Sequence, residues 1–413
     1  MSELGWIDGA LASARPQAVA ALLRYFRDLD LAEEAFQDAC LRALKAWPKN
    51  GPPRDPAAWL IMVGRNAAID VTRRRAKQTA LPDETVLSDL DDVESVEVER
   101  LDAADYRDDV LRLLFICCHP DLPATQQIAL ALRIVSGLSV KQIARAFLVG
   151  ESAMEQRITR AKAKIGGAGV PFETPSPAER SERVAAVMAM IYLVFNEGYS
   201  AGDSQKERAA LCDEAIRLAR LLLRMFPSEP EIMGLLALML LQHSRAAARY
   251  DKHGNAILLE DQDRALWKRP LMQEGLALID KAMLARAPGP HQLQAAIAGL
   301  HARAATAAAT DWSGIELLYQ ALERHSPSPV VTLNRSVAVS KVSGAQAALD
   351  LIEPLAGRLN NYFYFHGVRG SFLKELGRSG EAREAFNRAI ALANTPAEAA
   401  HIRQHLDALS AQK

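Results

Sequence analysis

The sequence predicts an all-α protein, and three observations carry that expectation. Ala and Leu dominate the 413 residues, and both favour helix. No stretch shows the period-2 alternation with β-branched enrichment that marks a strand. Pro and Gly punctuate the chain at 48–56, 82, 120–123, 166–177, 288–290 and 327–329, leaving segments of helical length between them. At about 150 residues per domain, the length points to two or three cores.

Composition narrows the class. Hydrophobic residues are 49%, aromatics 6% and charged residues 24%, which are globular values. The longest apolar runs, 184–195 and 232–241, fall short of the roughly 20 residues that a spanning helix needs. The first ten residues carry acids where a signal peptide carries Lys or Arg. Four Cys make no disulfide framework, so a reducing cytoplasm is expected. Secreted and membrane classes are excluded on this reading.

The net charge of −1 hides a strong segregation. Residues 1–80 hold 12 Lys/Arg and 9 Asp/Glu; 83–109 hold 12 acids and 2 Arg; 110–166 hold 8 basic residues and 3 acids. Two basic blocks around an acidic, aromatic-poor segment fit two polyanion-binding domains and a solvated linker, or simply solvated faces.

Each element follows in order. A first informative helix covers about 31–47, where Phe36, Cys40, Ala43 and Trp47 recur as a core stripe. Another face carries Glu34, Gln37, Asp38 and Leu41, acidic and amide-bearing with one apolar residue, which suits a docking surface or a wet face. After a loop at 48–55, Asp55 is an N-cap and Pro56 the first residue of the next helix. Trp59, Asn66 and Arg73 lie seven apart on one face, with Arg65, Arg74 and Arg75 adding charge. An aromatic, an amide and clustered Arg can grip phosphates while stacking on unpaired bases. The bland alternative is a core Trp and an Arg run that complements the helix dipole.

The second basic block has the form of a helix-turn-helix. A short helix over 139–147, a turn at 148–150 and a longer helix from about Glu151 are expected. Met154, Ile158, Ala161 and Ile165 would face the core. Arg157, Arg160 and Lys164 fall on the opposite side, placed to enter a major groove.

These segments resemble a known family. The stretches AEEAFQDACLRALKAW and PAAWLIMVGRNAAIDVTRRR are similar to the core-binding and −10-recognition region of extracytoplasmic-function sigma factors. LSVKQIARAFLVGESAMEQRITRAKAKI resembles their −35-reading domain, with Lys162 in place of the last Arg of the family's signature and Ala153 where Thr is frequent. The two matches come in the family's order around the acidic linker. The resemblance implies a protein that catalyses nothing, uses no cofactor or metal, and has core RNA polymerase and promoter DNA as partners. It assigns polymerase docking to Glu34, Gln37, Asp38 and Leu41. It assigns −10 DNA to Asn50, Arg54, Trp59, Arg65, Asn66, Arg73 and Arg74, with an unpaired base captured in the 48–55 loop. The −35 element falls to Ser152, Glu155, Gln156, Arg157, Arg160 and Lys164.

About 240 residues follow, so the chain resembles the family members with a C-terminal tetratricopeptide-like extension. FICCHP (115–120), YLVFNEGYSA (192–201) and SPVVTLNRSVAV (328–339) look like segments of that subgroup. Residues 362–392 give a helix ending at Gly377, a turn, then Ala382 and Phe386 in a second helix, with Pro396 beyond. Ala345 and Leu349 repeat the spacing 37 residues earlier; upstream the period is irregular. The expected domains are therefore 1–80, an acidic linker 81–104, 105–168, a linker 169–178, and a helical regulatory extension 179–413. That extension would bind a regulatory protein or peptide, and its near end would lie against the −35-reading domain.

Other constellations carry less. Adjacent Cys117 and Cys118 before His119 lack zinc-site spacing, so a buried structural role is expected. No phosphate-binding Gly loop, HExxH or GxSxG appears in the sequence. Two readings stay beside the sigma-like one: a helix-turn-helix activator with a sensing extension that acts without polymerase, and a helical scaffold that binds protein only.

Overall fold

The structure is a computed structural model, described at residues 5–51, 53–77, 103–147, 149–167, 177–199, 205–251, 257–393 and 396–411. Among these residues there is no strand. The expected all-α class is the observed one. Most of the acidic linker lies outside the described residues.

Two compact units divide the chain. The first contains residues 1–200 and 204–215; the second contains 201–203 and 216–413. In the first, α1 (Gly5–Phe26), α2 (Leu29–Asn50) and α3 (Pro56–Lys77) each touch the other two. Asp28 caps α2, its carboxylate accepting from the Asp30 and Leu31 amides at 2.9 and 3.0 Å. Asp55 does the same for Ala57 and Ala58 at 2.9 and 3.0 Å. Phe36, Ala43 and Trp47 are buried against Leu22, Leu23 and Leu60 in the core of the same unit.

One boundary moves. Helix α2 runs three residues past Trp47, through Pro48 to Asn50. Proline removes one backbone hydrogen bond from that last turn without ending it. Gly51, at φ 79°, ends it instead and donates its amide to the Trp47 carbonyl at 2.9 Å. The loop is thus 51–55, and Asn50 is the last helical residue.

The rest of the unit is built on α4 (Ala103–Cys117), α5 (Ala124–Ile134), α6 (Val140–Ala146) and α7 (Glu151–Gly167). Ser139 and Gln142 form a capping box at the start of α6. Helix α7 begins at Glu151, as the spacing predicts. Met154, Ile158 and Ala161 are buried against a core that includes Leu130, Leu132 and Ile143. Each fully buried Met, Leu or Ile side chain contributes roughly 1.5–3 kcal/mol.

Helix α8 (Pro177–Tyr199) packs on α4 and α5, and the Arg183 guanidinium lies over the Phe115 ring at 5.9 Å. Val187, Ile191, Val194 and Phe195 are fully buried, while Ala185, Ala189 and Leu193 stay exposed. The first compact unit extends beyond α8 into α9 (Gln205–Met225). Apolar residues of α8 need a partner, and α4 and α5 supply it.

The second unit is a run of helices: α10 (Pro230–Ser244), α11 (Arg269–Met283), α12 (Pro290–Arg303), α13 (Trp312–His325), α14 (Pro329–Ser343), α15 (Ala345–Ile352), the short α16 (Ala356–Leu359), α17 (Phe363–Glu375), α18 (Ser379–Leu392) and α19 (Pro396–Ala411), in which each packs on the next except that α15 meets α17 past α16. The apolar run 232–241 is buried at every position in α10, between α11 and α12. That explains why it is apolar all round. Ala382 and Phe386 are fully buried in α18, facing α17. No helix among the described residues is long and apolar enough to cross a membrane.

Candidate nucleic-acid interface

The sequence-predicted residues fall into three groups on the first unit. On α3, Asn66 is exposed and Trp59 is half-buried. Trp59 meets Trp47 edge to face, and Trp47 stacks on Trp6 with centroids 6.2 Å apart. Trp59 is thus partly a core residue, offering one edge outward. Arg65 turns away from Asn66: its guanidinium lies over the Tyr25 ring at 5.7 Å. With Arg24 and Arg27 it lines a cleft of about 360 Å³ at the end of α1. Arg54 is exposed within the 51–55 loop, and Asn50 is exposed beside it. Arg73 and Arg74 lie in the last turns of α3, and their side chains are outside the described set.

On α7 the residues expected to read the −35 element are laid out along one side. Ser152, Glu155, Gln156, Arg160 and Lys164 are exposed and Arg157 is half-buried. Burial of Met154, Ile158 and Ala161 fixes which side that is. Lys164 is not wholly free for DNA, because its Nζ donates to the Asp121 backbone carbonyl.

The third group lies on α2. Glu34, Gln37 and Leu41 are exposed, Leu41 at 58%. Asp38 is half-buried and pairs with Arg42 at 3.3 Å, one helical turn on. An exposed pair of that kind is weak, so it leaves the carboxylate available to a partner.

Sequence reasoning missed a fourth group. Glu33, beside Glu34 but turned inward, is 4% exposed and meets Arg15, Arg133 and Lys162. A residue one step from an exposed acid carries no periodic sign of such partners. Cys117 and Cys118 are fully buried, and burial pushes the Cys118 thiol up to about 12. At neutral pH that thiol is protonated and a poor nucleophile. Among the described residues no group of three or more His, Cys, Asp or Glu could hold a metal ion.

Residues 11–78, the body of α1–α3, match Sigma-70 region 2. Residues 112–165, which end with α7, match Sigma-70, region 4. The chain is an extracytoplasmic-function-like member of the sigma-70 family, with a C-terminal extension. Residues 183–283 match a family of unknown function (DUF6596). An uncharacterized protein of Rhizobium meliloti (strain 1021) is 69% identical over 413 residues, covering 100% of this chain and 98% of its own. Regions 2 and 4 give this sigma factor its role in promoter-specific transcription, with core RNA polymerase and promoter DNA as partners.

Proposed function

We propose that the sigma factor docks on core polymerase through Glu34, Gln37, Asp38 and Leu41. In this reading α7 then holds the −35 element with Arg157 and Arg160 at its centre. The 51–55 loop with Arg54 captures an unpaired −10 base while Asn66 and the outer edge of Trp59 support the melted strand. Base capture costs a few kcal/mol of unstacking, which stacking and amide contacts offset. The chain itself catalyses nothing; polymerase supplies the chemistry.

The observation that carries this reading is the separation of surfaces within one unit. Acidic and apolar groups of α2, an amide and an aromatic on α3, and cations on α7 are all turned outward. The helical extension, read as tetratricopeptide-like, is the regulatory module, and a protein or peptide is its ligand. Its first helix, α8, rests on α4 and α5 of the −35-reading body.

Transcription from a pool of genomic fragments tests the reading, with core polymerase alone or with the purified chain. New 5′ ends sharing −10 and −35 sequences should appear only with the chain. Identical 5′ ends in both reactions would refute it.

A further inference from the structure

In the second unit, α10 and α11 are joined by a long excursion in place of a turn. The 24 residues between Ser244 and Arg269 exceed the roughly 2–8 that join packed helices. Reach does not require them, because the Lys268 amide donates to the Ser244 carbonyl at 2.8 Å and closes the excursion at its base. Residues 257–268, its second half, are ordered by their own contacts. Asp263 accepts from the Ala265 amide at 2.9 Å and starts a short 3₁₀ turn. Gln262 Nε2 donates to the Ile257 carbonyl at 3.1 Å. An ordered connection longer than about 12–15 residues is uncommon and is usually functional.

The excursion reaches helices far from its own ends. Arg264 Nη1 donates to the His301 and Ala304 carbonyls at 2.5 and 2.9 Å, filling orphan acceptors at the end of α12. Glu260 pairs at 3.0 Å with Lys341 of α14, whose Nζ lies 5.9 Å from the centre of the Trp312 ring. Burial lowers the His401 pKa and the Asp261 charge opposes it, so Asp261 stands near α19. Burial raises the Tyr364 pKa, and Glu398, Tyr362 and Tyr250 add to the rise, so Tyr250 stands near α17.

These helices have one thing in common. In the paired order α12/α13, α14/α15 and α17/α18, with α19 last, each is the first of its pair. Helix α10 touches α12, α14 touches α17, and α17 touches α19, so the first helices share a side. In a stacked array each repeat meets only its neighbours. A segment that starts at α10 and reaches α19 departs from that rule by running along the shared side.

Its hold on that side is weak. Lys341 and Glu260 side chains are 43% and 49% exposed, and such a pair contributes little. Gln262 and Trp267 are buried, yet Gln262 Oε1 and Trp267 Nε1 have no hydrogen-bond partner among the described residues. Each carries its desolvation cost uncompensated, where a permanent core would pair such atoms.

On the regulatory-module reading of the extension, we propose that the side lined by the first helices is a peptide-binding groove that the chain fills with its own residues 257–268. Its exchange ligand is an extended acidic peptide, with an acid for Lys341 and, four residues on, an Arg or Lys for the carbonyls that end α12. Tethering sets the threshold. A covalently linked segment acts at about millimolar effective concentration, so an outside peptide enters only when it binds more tightly or the tethered one is loosened.

Fluorescence anisotropy on the full-length chain tests this, with a labelled synthetic peptide ILLEDQDRALWK, the sequence of 257–268. Glu260→Lys with Asp261→Lys changes two exposed side chains and should keep the fold. Amide exchange across 257–268 should then rise about ten-fold. The same variant should bind the peptide about ten-fold more tightly than wild type does. Adding Lys341→Glu re-pairs the segment, and should restore slow exchange and remove the gain in binding. Slow exchange that persists in the Lys variant, or equal peptide affinity for variant and wild type, overturns the self-filled groove. Transcription with core polymerase separates the two ideas: peptide binding that leaves promoter output unchanged upholds the groove and refutes the regulatory reading of the extension.

Discussion

Trp59 meets Trp47 edge to face, with ring centroids 5.4 Å apart and planes at 63°. The contact ties α3 to the core of α2. Trp59→Ala should therefore cost about 2–4 kcal/mol of stability before any effect on DNA. Asn66→Ala, exposed on the same helix, should leave the melting temperature unchanged and reduce promoter opening. Thermal melts with permanganate reactivity of the −10 region separate the two. Equal loss of stability would mean that Asn66 is structural.

The proposed polymerase-docking surface lies on α2. Gln37→Ala combined with Asp38→Ala removes an exposed amide and a carboxylate whose local partner is Arg42. That exposed pair is worth at most about 1 kcal/mol, so the fold should persist. Association with core polymerase, followed by fluorescence titration, should weaken at least several-fold. An unchanged affinity would place the docking surface elsewhere.

Arg157 distinguishes base reading from phosphate contact. If it reaches a base edge, Arg157→Ala should lose about 1–3 kcal/mol of −35 discrimination. If it touches phosphate, all sequences should weaken alike and the salt slope should fall by about one. Binding unaffected in both respects would take α7 out of the groove.

His301 sets an acid limit on the second unit. Burial, with the nearby charges of Arg245 and Arg264, pushes its pKa down to about 4, and its ring meets Trp312 edge to face at 5.3 Å. The unfolded chain takes up this proton near pH 6.5, while the folded chain refuses it until about pH 4. Stability should therefore fall on acidification through that window, by about 3 kcal/mol in full. Denaturant melts of His301→Gln should show a flatter pH dependence there. An unaltered slope would assign the acid sensitivity to other groups.

Much of this was legible in the sequence because helix periodicity reports which face is buried. Phe36, Ala43 and Trp47 on α2, and Met154, Ile158 and Ala161 on α7, are buried as their spacing predicts. Asp55 caps α3 because carboxylate and amides are neighbours in sequence. Features set by tertiary contact were not legible. Proline at 48 reads as a break, yet α2 ends only at Asn50. Arg65 joins the charged inventory of α3 by type, but turns toward Tyr25. Lys162 and Glu33 stand 129 residues apart, and no local pattern couples them. For α8 the sequence reading led to the −35-reading domain, while the choice of α4 and α5 within it is set by tertiary contact.

Specificity should arise only when this chain and core polymerase act together. That dependence is tested most directly by binding to a promoter fragment whose −10 region is already melted, with the chain alone, the core alone, and both. A salt-resistant, sequence-dependent complex should form with both components only, and be lost when the −35 sequence is scrambled. Equal sequence-specific binding by the chain alone would contradict it and make the protein an activator that needs no polymerase to find its site.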